Sequence, residues 1–215
     1  MDDRQESADP KHIVIACHPE VRSFTMAVAE TYCEAVEACG QRAVLRDLYR
    51  MGFDPVLKAC ERPGVADFAI APDVAAELAL LDDAAVIVLV YPIWFGTPPA
   101  MLKGYVERVL GSGVVPKAVE ERSVRGALAG KRMVSFTTSA SSEIWLDEQG
   151  QVNGLRSCFD RYIEHAFGML PSKHIHFGHI VTGLDARFAR QHLTDVRSEA
   201  KAIVDAIDHE LPKKP

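Results

Sequence analysis

The sequence predicts a doubly wound α/β domain built on a five-stranded parallel sheet. Three observations carry that expectation. Short β-branched runs alternate with segments of helical spacing along the whole chain. The runs are apolar at nearly every position, as in strands buried on both faces, where a half-solvated strand would alternate. No internal repeat or low-complexity linker divides the 215 residues, a length near that of one domain.

Residues 12–17 (HIVIAC) form the first strand, and 24–39 the first helix, with Phe24, Val28, Thr31, Ala35 and Val36 along one side. Gly40 follows as the residue that lets the chain leave the helix. Residues 43–48 form the second strand, 73–81 a helix and 85–91 (AVIVLVY) the third and clearest strand. The helix at 99–110 opens on Pro99, where a missing N–H costs little. Residues 131–137 give the fourth strand, 155–169 a helix, 174–180 the fifth strand and 185–209 the last helix. Parallel sheets of this size commonly take the flavodoxin-like order 2-1-3-4-5 or a Rossmann order.

The composition is 48% hydrophobic and 25% charged, that of a globular chain. A net charge of −6 supplies no basic field for nucleic acid or an anionic membrane. The longest apolar stretch, 84–96, contains Pro92 and falls short of the ~20 residues a membrane helix needs. Residues 1–10 are acidic and polar, without the apolar stretch of an export signal, and read as a flexible tail ahead of a single domain at 11–215. Five cysteines, an odd number with no CxxC spacing, read as free thiols in a reducing cytoplasm.

Two connections, 52–72 and 111–130, run to about 20 residues each, beyond the usual ~12–15. They carry Phe53, Val56, Leu57 and Phe68, and Val114, Val115, Val119 and Leu128. Left on a monomer these would be exposed apolar patches, so a twofold homodimer with active sites at its interface is expected.

The GxGxxG, GxSxG, HExxH and phosphate-loop patterns are absent, and Gly126 to Lys131 has the wrong spacing for the last of these. His174, His176 and His179 lack a carboxylate or thiolate at ligand spacing and read as polar residues at the sheet rim, with no metal expected. The chemistry is expected at three loops that follow strand ends, where doubly wound sheets bind ligands. The first, from His18 to Thr25, places Ser23 at a helix N-terminus, a site for phosphate; Ser23 also suits a plain helix cap. The second, from Tyr91 to Gly104, packs Trp94, Phe95, Gly96 and three prolines into a stiff segment able to wall a flat heterocycle. The third, Thr137 to Ser142, is small and hydroxyl-rich.

The combination of His18-Pro19 with Ser23-Phe24-Thr25, the Tyr91–Gly104 segment ending Pro-Ala-x-Leu-Lys-Gly, and Thr137-Thr138 resembles the NAD(P)H:quinone oxidoreductases of flavodoxin-like fold, which include modulator of drug activity B and the potassium-efflux ancillary reductases. The resemblance runs from Ile13 to about His209 in matching order. It implies a bound flavin, FAD in preference to FMN, and ping-pong two-electron transfer of hydride from NAD(P)H through flavin N5 to a small quinone or similar electrophilic acceptor. Carried across, His18, Ser23, Phe24 and Thr25 would hold the phosphate and ribityl end. Pro92, Ile93, Trp94 and Phe95 would line the isoalloxazine, Thr137 and Thr138 would lie near its pyrimidine edge, and Arg187 would reach the adenosine half of FAD. Ser139 and Ala140 stand where the family has paired glycines, and Trp145 and Gln149-Gly150 stand where a Tyr and a His are expected. No catalytic residue is therefore assigned, with Trp145 and Ser141 as the nearest candidates. The alternative function is a flavodoxin-type electron carrier or a non-catalytic redox-sensing regulator.

Overall fold

A computed structural model describes residues 10–124 and 126–210. All of the proposed N-terminal tail except Pro10 lies outside the described residues. Five parallel strands, β1 (Lys11–Ala16), β2 (Arg42–Asp47), β3 (Ala84–Pro92), β4 (Arg132–Thr138) and β5 (Lys173–Phe177), form one sheet in the order β2-β1-β3-β4-β5. This is the flavodoxin-like order, and the strand positions agree with the sequence reading to within three residues.

The strands alternate between two apolar layers. Val14, Val88, Val90, Val134 and Phe136 face α1 (Phe24–Ala38) and α8 (Ala186–Glu210). Ile13, Ile15, Ile87, Leu89 and Met133 face the opposite layer. That layer holds α2 (Pro72–Asp82), α3 (Ala100–Tyr105), α4 (Pro116–Glu120), α5 (Glu143–Glu148), α6 (Gln151–Leu155) and α7 (Arg161–Phe167). Covering on both faces is what makes residues 13–16 of β1 and 86–91 of β3 continuously apolar, because each of them is fully buried. Among the described residues no helix is long and apolar enough to cross a membrane.

Two helices differ from the expected spans, for the same reason. The segment after β3 runs as α3 and continues in a π-helical turn, Val106–Leu110, closed by Gly111 N–H on Val106 O at 2.8 Å. The single helix expected at 155–169 begins earlier, as α6, and passes through a second π-turn, Arg156–Asp160, into α7. Each π-turn turns a charged side chain inward: Arg108 from the first and Asp160 from the second, both buried. An extra residue in a helical turn re-aims the side chains after it, a common feature of functional sites.

The two long connections depart further from expectation. They contain a 3₁₀ turn, Ala59–Glu61, and α4, neither of which the sequence pattern gave away. Phe53 and Leu128 are buried in their own chain, and Val114 and Val119 pack against the same core. Four of the eight apolar residues that were to require a partner are thus covered internally, while Val56 remains exposed. All five cysteines are free thiols, and burial pushes Cys17 and Cys33 up to about 12, which leaves them unreactive.

Candidate functional site

The carboxyl ends of β1, β3 and β4 open onto a cleft of about 1130 Å³. Its first wall is the turn between β1 and α1. Ser23 caps α1, its Oγ accepting the Met26 N–H at 3.2 Å, and the capped terminus lines the cleft. The first-turn N–H groups and the positive end of the helix dipole therefore face the opening, where a phosphate would be favoured. His18 Nδ1 accepts the Glu20 N–H at 3.1 Å, so the neutral ring carries its proton on Nε2 as a donor. Burial holds the His18 pKa below its ordinary value, partly offset by Glu20. Arg50 fixes this turn by donating to the carbonyls of His18 and Pro19 at 2.7 and 2.8 Å. Sequence reading missed Arg50, because nothing local to the motif points to a residue beyond β2.

The second wall is a tight reversal. Trp94 and Thr97 exchange both backbone hydrogen bonds at 3.0 and 3.1 Å, with Phe95 and Gly96 at φ 51° and 80° between them. Two central residues at positive φ match the primed turns of β-hairpins. Glycine tolerates that conformation, whereas Phe95 holds it at a cost and is fully exposed. The expected stiffness of this loop thus comes from the turn as well as from the prolines. Ile93 N–H donates to Thr138 O at 2.7 Å, tying the loop to the end of β4, and the Trp94 ring lies 5.8 Å from that of His18.

The third wall is no loose turn. Ser139 N–H donates to Phe177 O, Ile180 N–H to Ser139 O and His179 N–H to Ser141 O, which continue the sheet edge past β5. A Cβ on Gly178 would stand 2.9 Å from Glu143 N, so glycine permits the close approach of the two segments. Thr138 Oγ1 and Thr25 Oγ1 lie 2.9 Å apart and buried, joining the first wall to the third.

The cleft brings together His18, Ser23, Phe24, Thr25, Pro92, Ile93, Trp94, Phe95 and Thr138, along with Ser141 and Trp145. Two of the expected contacts are not on its lining. Thr137 alternates to the opposite face of β4, where it is fully buried and its hydroxyl meets His174 and His176. Arg187 is exposed at the start of α8 and does not line the cleft, although Ala189 and Leu193 from the same helix do. Gln151 also lines the cleft, packed so closely that a Cβ on Gly96 would stand 2.4 Å from its Oε1. It lies two residues beyond the position where a polar side chain was sought.

The histidines of β5 are also placed differently from expectation. His174 is buried rather than at the rim, and a carboxylate does reach it, from Asp160 in the π-turn. No group of three or more potential metal ligands occurs among the described residues.

Comparison with known proteins places these features in context. A family model described as flavodoxin-like fold matches residues 10–202. An uncharacterized NAD(P)H oxidoreductase of Haemophilus influenzae is 36% identical over 148 residues, covering 68% of this chain and 73% of that protein. NAD(P)H dehydrogenase [quinone] 1 of Cavia porcellus is 30% identical over 149 residues, 61% of this chain, and the match spans only 54% of its own length. In structure, the chain resembles an NAD(P)H:quinone oxidoreductase from Methanothermobacter marburgensis, with a TM-score of 0.74 at 23% identity, covering 92% and 96% of the two chains. It also resembles general stress protein 14 of Treponema denticola, solved with FMN, with a TM-score of 0.59 at 20% identity over 92% and 99%.

Proposed function

The chain belongs to the family of flavodoxin-like fold, and from that premise we propose that it is a flavin-dependent NAD(P)H:quinone oxidoreductase. The single observation that carries this reading is the convergence of three strand-end walls on one cleft, each supplying a different part of what a flavin needs. The names of the H. influenzae and C. porcellus relatives and the FMN in the T. denticola structure support the same assignment.

The capped N-terminus of α1, with Ser23, Thr25 and the Nε2 donor of His18, would hold the phosphate. Pro92, Ile93, Trp94 and Phe95 would line one side of the ring system, and Thr138 with the Ser139–Ser141 backbone the other. The cleft continues along Ile180, Val181, Thr182, Gly183 and Leu184 to Ala189 and Leu193, room that favours FAD over FMN. When bound, the flavin supplies two-electron hydride chemistry between NAD(P)H and the acceptor. The rigid Trp94–Thr97 turn would position the ring, and Trp94 and Trp145 would help to keep water from it while NAD(P)H and quinone bind in turn.

Purified protein is expected to be yellow and to hold one flavin per chain through gel filtration. Trp94→Ala should weaken flavin retention, since it removes a stacking contact worth about 0.5–1.5 kcal/mol beyond area burial. Failure to retain either FAD or FMN after loading would defeat the proposal.

We also infer a homodimer, now on a different surface from the long connections. Phe95, Ile144, Trp145, Val181 and Phe188 are all exposed, and three of them line the cleft. A second copy laid over that rim would cover them. Light scattering should give twice 23.6 kDa, and a Phe95→Lys variant should shift toward the monomer.

A further inference from the structure

Behind the third wall, on the face of the sheet away from α1, the alternation that elsewhere supplies apolar side chains supplies polar ones instead. Ser135 pairs in register with His174, and Thr137 with His176. Asp160 closes the cluster from the π-turn. These groups form one unbranched run. Asp160 Oδ2 lies 2.5 Å from His174 Nδ1; His174 Nε2 lies 2.8 Å from Thr137 Oγ1. Thr137 Oγ1 in turn lies 2.8 Å from His176 Nδ1, and His176 Nε2 lies 3.0 Å from Ser139 Oγ. Ser139 Oγ is also 2.9 Å from Ser141 O, and Ser139 lines the cleft. Ser135 donates its hydroxyl to the other oxygen of Asp160 at 3.0 Å. The side chains of Asp160 and His174 are each 2% exposed.

Counting hydrogens on this run gives two self-consistent arrangements, because each hydroxyl donates once and each bridging imidazole must donate on one side and accept on the other. In the first, Ser139 donates to Ser141 O, His176 Nε2–H donates to Ser139, Thr137 donates to His176 Nδ1, and His174 Nε2–H donates to Thr137. One further proton then lies between His174 Nδ1 and Asp160. In the second, every donor is reversed: Ser139 donates to His176 Nε2, His176 Nδ1–H to Thr137, Thr137 to His174 Nε2, and His174 Nδ1–H to the Asp160 carboxylate. The second arrangement holds one proton fewer than the first.

We propose that this run is a proton relay that opens on the cleft at Ser139. On the flavin-reductase reading, which it rests on, the overall reaction is NAD(P)H + H⁺ + quinone → NAD(P)⁺ + hydroquinone, and one proton must enter with each hydride. Ser139 gives its proton to the acceptor oxygen and takes the one on His176 Nε2. Thr137 then passes its proton to His176 Nδ1, and His174 refills Thr137 from Nε2. The run ends in the second arrangement, with no electron moved, and a proton from water returns it to the first. His174, Thr137 and His176 act as positioning residues for that proton, and Asp160 anchors it.

His176 suits the role because it stays neutral, and a neutral imidazole both donates and accepts. Its pKa is pushed down to about 4, first by burial and then by His174 and Arg156, against a smaller opposing effect of Asp147. Tyr91 also faces Asp160, and burial with the neighbouring carboxylate keeps its phenol protonated.

Two experiments test the proposal. The first uses apoprotein, so it stands whether or not a flavin binds. Nitrogen-15 NMR of the imidazoles across a pH titration should show His176 exchanging its donor and acceptor nitrogens at the same midpoint at which His174 changes. Thr137→Val should abolish that coupling and Thr137→Ser should preserve it. A His176 tautomer that stays fixed in the wild type overturns the relay, and this measurement needs no variant to fold. The second uses flavin-loaded protein. Thr137→Val, which lies off the cleft, should retain flavin but lose about 100-fold in the rate of quinone reduction, the lower end of the range for a lost proton donor. Thr137→Ser should restore the rate. Full activity in a flavin-bound Thr137→Val variant overturns delivery to the cleft, whereas loss of flavin from the wild type would count against the flavin reading alone.

Discussion

Replacing Arg108 with alanine should lower the unfolding free energy by about 3–5 kcal/mol, the cost of stranding a buried charge. The Arg108 side chain is 3% exposed and donates from three nitrogens. Its Nε and Nη2 reach both oxygens of Glu61, itself buried, and its Nη1 reaches Asp73 at 2.8 Å and the Asp54 carbonyl at 2.6 Å. The guanidinium also lies over the Phe53 ring at 5.3 Å. One side chain thus joins the π-turn after α3 to the start of α2 and to the connection at 52–72. Asp73 is half-exposed, so water can replace its share; Glu61 is not, and its unpaired carboxylate would dominate the loss. The pH dependence identifies that cause. Hydrogen bonds from Arg108 hold the carboxyls of Glu61 and Asp73 below their usual range. In the wild type their contribution is therefore present above the unfolded carboxyl pKa of about 4 and is lost as pH falls through the depressed folded values. In the variant Glu61 is buried with the Lys58 N–H at 2.9 Å but no cation beside it, so its pKa rises and acidification restores stability. The deficit measured by urea unfolding at neutral pH should shrink towards pH 4. An Arg108→Met, Glu61→Met double variant, which removes both charges, should recover most of it. A deficit that does not change with pH would exclude this explanation.

The fold was legible because the strongest signal, continuous apolar strands between amphipathic helices, is local. Each strand could be read from its own few residues, and the resemblance of the strand-end loops to a flavodoxin-like family implied the order. The site was legible for the same reason where a motif sits on a single loop, as at Ser23 and Trp94. What escaped was set by contacts between distant segments. Thr137 and Thr138 are adjacent in sequence, yet the pleat sends Thr138 to the cleft side with Thr25 and Thr137 to the histidines of β5. The alternation of HIHF on β5 was visible, but its meaning depended on register with β4 and on a π-turn that inserts Asp160. Nothing in a helix-periodic pattern marks such a turn. The long connections were misread in the same way: their apolar residues were seen, while the shortness of the path back to the core was not.

Gly104→Ala should be destabilising although it lies inside α3, where alanine ordinarily gains about 0.5–1 kcal/mol over glycine. A Cβ at that position would stand 2.3 Å from Pro55 O and 2.4 and 2.5 Å from Pro55 Cβ and Cα. These are backbone and ring atoms of a segment that Arg108 already grips through Asp54 O, so the segment has little freedom to retreat. Overpacking of this kind costs about 1–3 kcal/mol, which exceeds the gain in propensity. The alternative is for α3 to move, and α3 begins at Ala100, directly after the prolines that end the Trp94 loop. Either response reaches the cleft, so the variant should show a lower unfolding midpoint together with weaker flavin retention. Gly154→Ala is the control: that glycine is exposed on α6 with nothing within 4 Å of the added carbon, and the same substitution there should raise the midpoint. A rise at both positions would mean that the contact between α3 and Pro55 gives way freely. A fall at 104 with unchanged flavin affinity would mean that the helix can shift without carrying the Trp94 turn with it.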